Sequence, residues 1–198
     1  MLKVILATSN NHKAQEFAEI FNSEIIQVEA AGKKLAVTED GETFAANALL
    51  KAKAYYDLFK VPILSDDSGI TVEGLPNELG IQSARFGGDG LTDKNRYELL
   101  LKKLENTSGA GRQAYFTCVL CFYLSPEEVF FFEGRMSGEI LFGPKGQGGF
   151  GYDPIFKPIG ASGEQSVAEM YDWKQKNSHR ALACQLAQRF FEQRRGQT

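Results

Sequence analysis

The N-terminal segment sets the first limit on what this chain can fold into. Leu2–Ala7 is a short apolar run with β-branched residues, which reads as a buried strand. It stops at Thr8-Ser9-Asn10-Asn11, a polar turn rich in residues that cap helices. Ala14, Phe17, Ala18, Ile20 and Phe21 then fall at helical spacing. Strand, turn and helix in immediate succession call for a sheet covered by helices. The pattern continues: Ile25–Val28 predicts a second strand. Thr43 can cap a long helix with Phe44, Ala48, Ala52, Tyr55 and Phe59 on one face. Val61–Leu64 predicts a strand that ends in a turn at Ser65-Asp66-Asp67-Ser68-Gly69. Thr92 caps another helix, with Tyr97, Leu100, Leu101 and Leu104 turned inward.

The middle of the chain reads differently. Arg112–Leu124 and Val129–Glu133 are strands joined as a hairpin at Ser125-Pro126-Glu127-Glu128, and Arg135–Phe142 continues the sheet. The glycine-rich stretch Gly143–Gly151 breaks regular structure. A last helix starts near Ser178, with Leu182, Leu186 and Phe190 stacked at four-residue steps. Alternating helices and strands followed by antiparallel strands predict an α/β chain with a mixed sheet.

Composition narrows the function. The 22 basic against 25 acidic residues leave a net charge of −3, too balanced for a general nucleic-acid binder. No apolar run approaches the ~20 residues of a membrane helix, and Met1–Ala7 is too short for a signal peptide. Cys118 and Cys121 have the spacing of a zinc or redox pair, but no second pair exists. In a strand, residues three apart point to opposite faces, so their sulfurs diverge. Buried thiols in a reducing cytosol are the expectation.

Four segments carry possible chemistry. Thr8–Lys13 opens a helix with backbone amides and a lysine, a place suited to phosphate, although on its own the segment reads first as an ordinary capped helix with a surface lysine. Asp66 and Asp67 at a strand end suit a hard cation such as Mg²⁺, with Glu39-Asp40 as a further source of carboxylate. A solvated acidic turn, bent at Gly69, is the alternative. Gly146–Gly151 matches a dinucleotide-binding fingerprint by letter only, because Pro154 and Pro158 forbid the helix that must follow. That loop delivers Phe150, Tyr152 and Asp153, whose aromatics can stack on a base or pack on the sheet. His179 and Arg180 at a helix start oppose the helix dipole, which hints at a ligand, although three residues taken alone read first as a solvated turn.

Taken together these segments resemble the inosine/xanthosine triphosphate pyrophosphatase family, from Ala7 to about Arg180. The marks are Ala7-Thr8-Ser9-Asn10-Asn11-His12-Lys13, Glu39-Asp40-Gly41-Glu42-Thr43-Phe44 with Asn47-Ala48 and Lys51-Ala52, Asp66-Asp67-Ser68-Gly69, Ser83-Ala84-Arg85-Phe86, Gly148-Gly149-Phe150-Gly151-Tyr152-Asp153-Pro154 and Ser178-His179-Arg180. The resemblance implies an elongated, bent mixed sheet flanked by helices, in one pyrophosphatase domain over residues 1–198 with two lobes and a central cleft. It implies a cytoplasmic homodimer that uses Mg²⁺ to hydrolyse ITP, dITP and XTP to the monophosphate and pyrophosphate. It implies a small-molecule nucleoside triphosphate as substrate, with no nucleic-acid or membrane partner.

By position, the resemblance makes Asp67, Asp66 and Lys13 catalytic, with Asp67 as the base. Glu39 and Asp67 would hold the metal. Thr8, Ser9, Asn10, Asn11, His12 and Lys13 would hold the triphosphate. Ser68, Phe150, Gly151, Tyr152, Asp153, Lys174, His179 and Arg180 would contact the nucleotide, and Lys51 would serve the phosphates. His179 and Arg180 would pair with the six-oxygen that hypoxanthine and xanthine present where adenine has an amine.

Overall fold

The computed structural model describes residues 1–196. Six strands form one mixed sheet in the order β2-β1-β3-β4-β5-β6. They are β1 Leu2–Ala7, β2 Ile26–Ala30, β3 Ile63–Val72, β4 Gln113–Ser125, β5 Glu128–Ile140 and β6 Phe156–Pro158. The α-helices among the described residues are α1 Asn11–Ile20, α2 Phe44–Phe59, α3 Asp93–Lys103, α4 Tyr171–Asn177 and α5 His179–Arg195. β1 pairs in parallel with both β2 and β3, while β5 and β6 are antiparallel. The expected α/β class with a mixed sheet is therefore what the chain forms. The caps read from the sequence are present: the side chain of Thr43 accepts from the Ala46 amide, and that of Thr92 from the Asn95 amide.

The chain divides into two compact units, with division points inside β3, β4 and β5. The first holds residues 1–67, 118–134 and those from 179 onward. Its strands bury both faces, and residue parity sorts them. Val4, Leu6, Leu64, Cys118, Leu120 and Phe122 pack with Phe17 of α1 and Cys184, Ala187 and Phe191 of α5. Ala7, Ile63, Cys121 and Tyr123 pack with Ala48, Ala52 and Tyr55 of α2. Cys118 and Cys121 thus lie in different clusters, as the strand reading required. All three thiols are buried and reduced, and burial pushes Cys118 up to about 12. The second unit holds residues 68–117 and 135–178. It packs Ile70, Val72, Leu100, Leu104, Phe116, Ile155 and Phe156 around one core.

Three expectations needed correction. β3 does not stop before the acidic pair; it runs unbroken through Ser65–Gly69 to Val72. Gly69 therefore makes no bend. It sits in extended backbone where a Cβ would collide with the Gly80 carbonyl and the Ser83 hydroxyl, so the missing side chain permits close approach. Likewise β5 continues through Gly134, against which the carbonyl of His179 and the amide of Ala183 lie too close for any Cβ. That approach selects the buried face of α5. Arg180, Ala183, Cys184, Ala187 and Phe191 turn inward, while Leu186, expected in the buried stripe, is 41% exposed. Where α5 crosses Gly134 the backbones come too close for a leucine, and Ala183 fills that position.

Candidate active site

The strand order β2-β1-β3 places a topological switch between β1 and β3. In open α/β sheets, ligands bind beyond the carboxyl ends of strands at such a point. β1 ends there at Ala7, paired with Ser65 of β3. Thr8–Asn10 then turn the chain into α1. Asn10 caps that helix, its Oδ1 accepting from the amides of His12 at 2.9 Å and Lys13 at 3.2 Å. Thr8 Oγ1 accepts from the Asn10 amide at 3.1 Å. Several amides expected to face a ligand are thus engaged within the turn.

Alternation along β3 separates the two adjacent aspartates. Ser65 and Asp67 face α2: Ser65 donates to the Ala48 carbonyl at 2.6 Å, and Asn47 Nδ2 donates to Asp67 Oδ2 at 3.0 Å. Asp66 faces α1 and α5. Lys13 Nζ donates to its Oδ2 at 2.8 Å, and Arg180 Nη2 lies 3.5 Å from the same atom. The other arm of Arg180 pairs with Glu16. Lys51 of α2 joins the two sides. Its Nζ donates to the Asp66 carbonyl at 2.8 Å and meets Glu39 Oε1 at 2.9 Å.

Opposite environments give the two carboxyls opposite titration behaviour. Burial pushes Asp66 upward, but Lys13, Arg180 and Lys51 outweigh it and hold the group well below the usual carboxylate range. Burial also dominates at Asp67. There the Asn47 hydrogen bond and the Lys13 and Lys51 charges offset only part of it, and Asp67 is pushed up to about 6. The two adjacent carboxyls thus sit in environments that push their pKa values apart.

Hard oxygen donors are the right chemistry for Mg²⁺. Glu39 and Asp67 provide them, and Asp66 Oδ1 is a buried oxygen with no hydrogen-bond partner. Among the described residues no cluster of three or more His, Cys, Asp or Glu forms a protein-only cage. Mg²⁺ is commonly held by one or two carboxylates with substrate phosphates and water completing the shell, so this donor set fits it.

The first unit thus brings Lys13, Glu39, Asp66, Asp67 and Arg180 into one network, with His179 buried at the start of α5. Ser68 is half-buried, one residue on in β3. The second unit gathers another set. Lys174 Nζ donates to Asp153 Oδ2 at 2.7 Å and lies 4.7 Å from the Phe150 ring centroid. The Phe150 amide donates to the same carboxylate oxygen at 2.9 Å. The Gly151 amide reaches Asp93 Oδ2 at 2.8 Å, and the Tyr152 hydroxyl reaches the Ser83 carbonyl at 2.7 Å. Gly149 and Gly151 have φ of 74° and 62°, which explains glycine at both.

A model of the Ham1 family matches residues 4–190. The chain belongs to the Ham1 family. A relative from Aquifex aeolicus named dITP/XTP pyrophosphatase is 40% identical, covering 92% of this chain and 93% of its own. A Staphylococcus aureus protein of the same name is 37% identical, covering 97% of each chain. The solved HAM1 protein from Coxiella burnetii is 31% identical, covers 98% of this chain and 100% of its own, and superposes with a TM-score of 0.86. The Staphylococcus aureus Ham1 protein gives a TM-score of 0.84 at 36% identity.

Within this Ham1 chain, motif reading missed Glu16 and Asp93, and it marked Asn47 without assigning it a contact to Asp67. Each lies in a helix pattern that also suits a surface position. Glu16 carried one usable signal, its place three residues after Lys13 on the same face of α1.

Proposed function

We propose that this chain hydrolyses the non-standard purine nucleoside triphosphates ITP, dITP and XTP to the monophosphate and pyrophosphate with Mg²⁺, cleansing the nucleotide pool. The single observation that carries the reading is the divided pair Asp66-Asp67 at the switch between β1 and β3, one carboxyl held by Lys13 and Arg180 and its neighbour held by Asn47 on the opposite face. The names of the relatives point to the same activity.

Glu39 and Asp67 would hold Mg²⁺, which when bound supplies Lewis-acid stabilisation of charge on the phosphate oxygens. Cleavage between the α- and β-phosphates leaves growing charge on pyrophosphate, and Lys13 and Lys51 stabilise it. Asp67, oriented by Asn47, accepts a proton from the attacking water; a base near pH 6 combines an available lone pair with useful basicity. Asp66 stays ionised throughout and keeps Lys13 and Arg180 in place.

Base recognition falls to His179, Ser68, Lys174 and Phe150–Asp153, with Phe150 as the stacking surface. Donors matched to a six-oxo purine are left unpaired against adenine's amine, at a cost of ~1–3 kcal/mol each. In the free protein Arg180 is 1% exposed and rests on Glu16 and Asp66, so its first contribution is to the charge balance around Asp66. Homodimer formation and a cytoplasmic setting belong to the same proposal. No helix among the described residues is long and apolar enough to cross a membrane.

The test is purified protein with Mg²⁺ and a panel of purine and pyrimidine triphosphates, scored for pyrophosphate. Release from ITP, dITP and XTP, abolished by EDTA, is expected. Release of orthophosphate instead, preference for pyrimidines, or binding without turnover would each overturn the proposal.

A further inference from the structure

Every strongly placed cation of the first unit's network is already committed to an anion. Lys13 lies on Asp66, Lys51 on Glu39, and Arg180 on Glu16 and Asp66. The turn before α1 also uses its own amides: Asn10 Oδ1 holds those of His12 and Lys13, and Thr8 Oγ1 holds that of Asn10. A polyphosphate arriving at this turn brings several negative charges, and because Lys13 and Lys51 share theirs with Asp66 and Glu39, it calls for a further cation that has no carboxylate partner.

Lys34 is such a cation. It lies between β2 and α2, and its Nζ donates to the Ser9 carbonyl at 3.2 Å and approaches Asn11 Oδ1 at 3.5 Å. Both acceptors are neutral. An ammonium has three N–H donors, so one remains for a ligand oxygen. Its backbone is held in place, because the next residue, Leu35, donates its amide to the Tyr55 hydroxyl at 3.0 Å, and Tyr55 is 1% exposed. The turn and the lysine are thus assembled before any ligand arrives.

We infer that Lys34 is a phosphate-binding residue of this active site, taking an oxygen of the bound polyphosphate; this rests on the reading that Thr8–Lys13 holds that group. Lys34 makes its contacts with Ser9 and Asn11 rather than with Asp66 or Asp67. It therefore contributes to binding, and its loss raises KM while kcat stays near the wild-type value.

The experiment measures binding of inorganic tripolyphosphate by calorimetry, and ITP turnover, for wild type, Lys34→Met, Lys34→Arg and Lys33→Met. Lys34→Met should weaken tripolyphosphate about five- to ten-fold and raise KM for ITP by the same factor, the scale of one exposed charge-assisted contact. Lys34→Arg should restore most of the affinity. Lys33→Met, which removes the same charge one residue away, should change it less than about two-fold, as expected of a solvated charge. Equal losses at Lys33 and Lys34 would reduce the effect to general electrostatics and overturn the inference. So would unchanged binding in Lys34→Met, or wild type that binds no tripolyphosphate. If wild type binds tripolyphosphate through Lys34 yet cleaves no triphosphate, the Lys34 assignment stands and the proposed function falls.

Discussion

Asp66 and Asp67 are joined by one peptide bond and face opposite sides of β3. On the α1/α5 side, Asp66 meets Lys13 and Arg180 and is fully buried in a net-cationic surround. On the α2 side, Asp67 meets an amide, Asn47, and is likewise buried. Burial raises the pKa of both; charge outweighs it at Asp66 and offsets only part of it at Asp67. The difference shows that a pair of identical side chains can be split into a permanent anion and a titrating group by strand parity alone. A turn could not have done this, since solvent would have levelled the two.

The largest expected effect is at Asp67. Asp67→Asn keeps a partner for Asn47 but removes a metal donor and the proton acceptor together, and should lower kcat at least about a thousand-fold. Its effect on stability should run the other way. A carboxyl whose folded pKa is raised to about 6 supports the fold only while protonated, and that support is lost as pH rises from about 3.8 to about 6. In EDTA at pH 7 the variant should therefore melt higher than wild type, by the equivalent of about 1–2 kcal/mol, and the gap should close below about pH 4. Melting curves across that range check the sign. A variant that melts lower at pH 7 would erase the contrast between the two faces.

Asp66→Asn should be destabilising instead, by about 3–5 kcal/mol, because it leaves the buried Arg180 short of an anion. Asp66 has a depressed pKa, so its contribution is present above about 3.8 and persists until the pH falls through the much lower folded value. Chemical denaturation of the two single variants side by side gives opposite signs if the comparison holds.

Lys13→Ala should reduce kcat/KM for ITP and XTP alike, by about 1.5–3 kcal/mol, since the phosphates are common to both. A changed ITP-to-ATP ratio would move Lys13 from the phosphates to the base. The smallest effect is expected at Phe150, on the glycine-rich loop of the second unit. Phe150→Ala should weaken every purine triphosphate comparably, by about 1 kcal/mol, and leave the pH dependence of melting untouched. A shifted ratio among purines would give Phe150 a role in selectivity.

Much of this was legible in the chain. The strand–turn–helix opening, the caps at Thr43 and Thr92, the hairpin at Ser125–Glu128 and the divergence of Cys118 and Cys121 are local matters, decided by periodicity and short-range hydrogen bonding. The segments with chemistry were recognisable by residue type and order. Tertiary structure decided what those residues face. Asp66-Asp67-Ser68-Gly69 reads as a turn because two carboxylates and a glycine are poor strand formers. It becomes the middle of β3 because Lys13 and Arg180, 53 and 114 residues away in sequence, supply the charge that burial demands. In the same way, the stripe of Leu182, Leu186 and Phe190 is a sound helical pattern, yet contact with the bare backbone of Gly134 turned the small side of α5 inward. Helical spacing is set by the residue's neighbours in sequence; burial and charge are set by neighbours that only folding brings near.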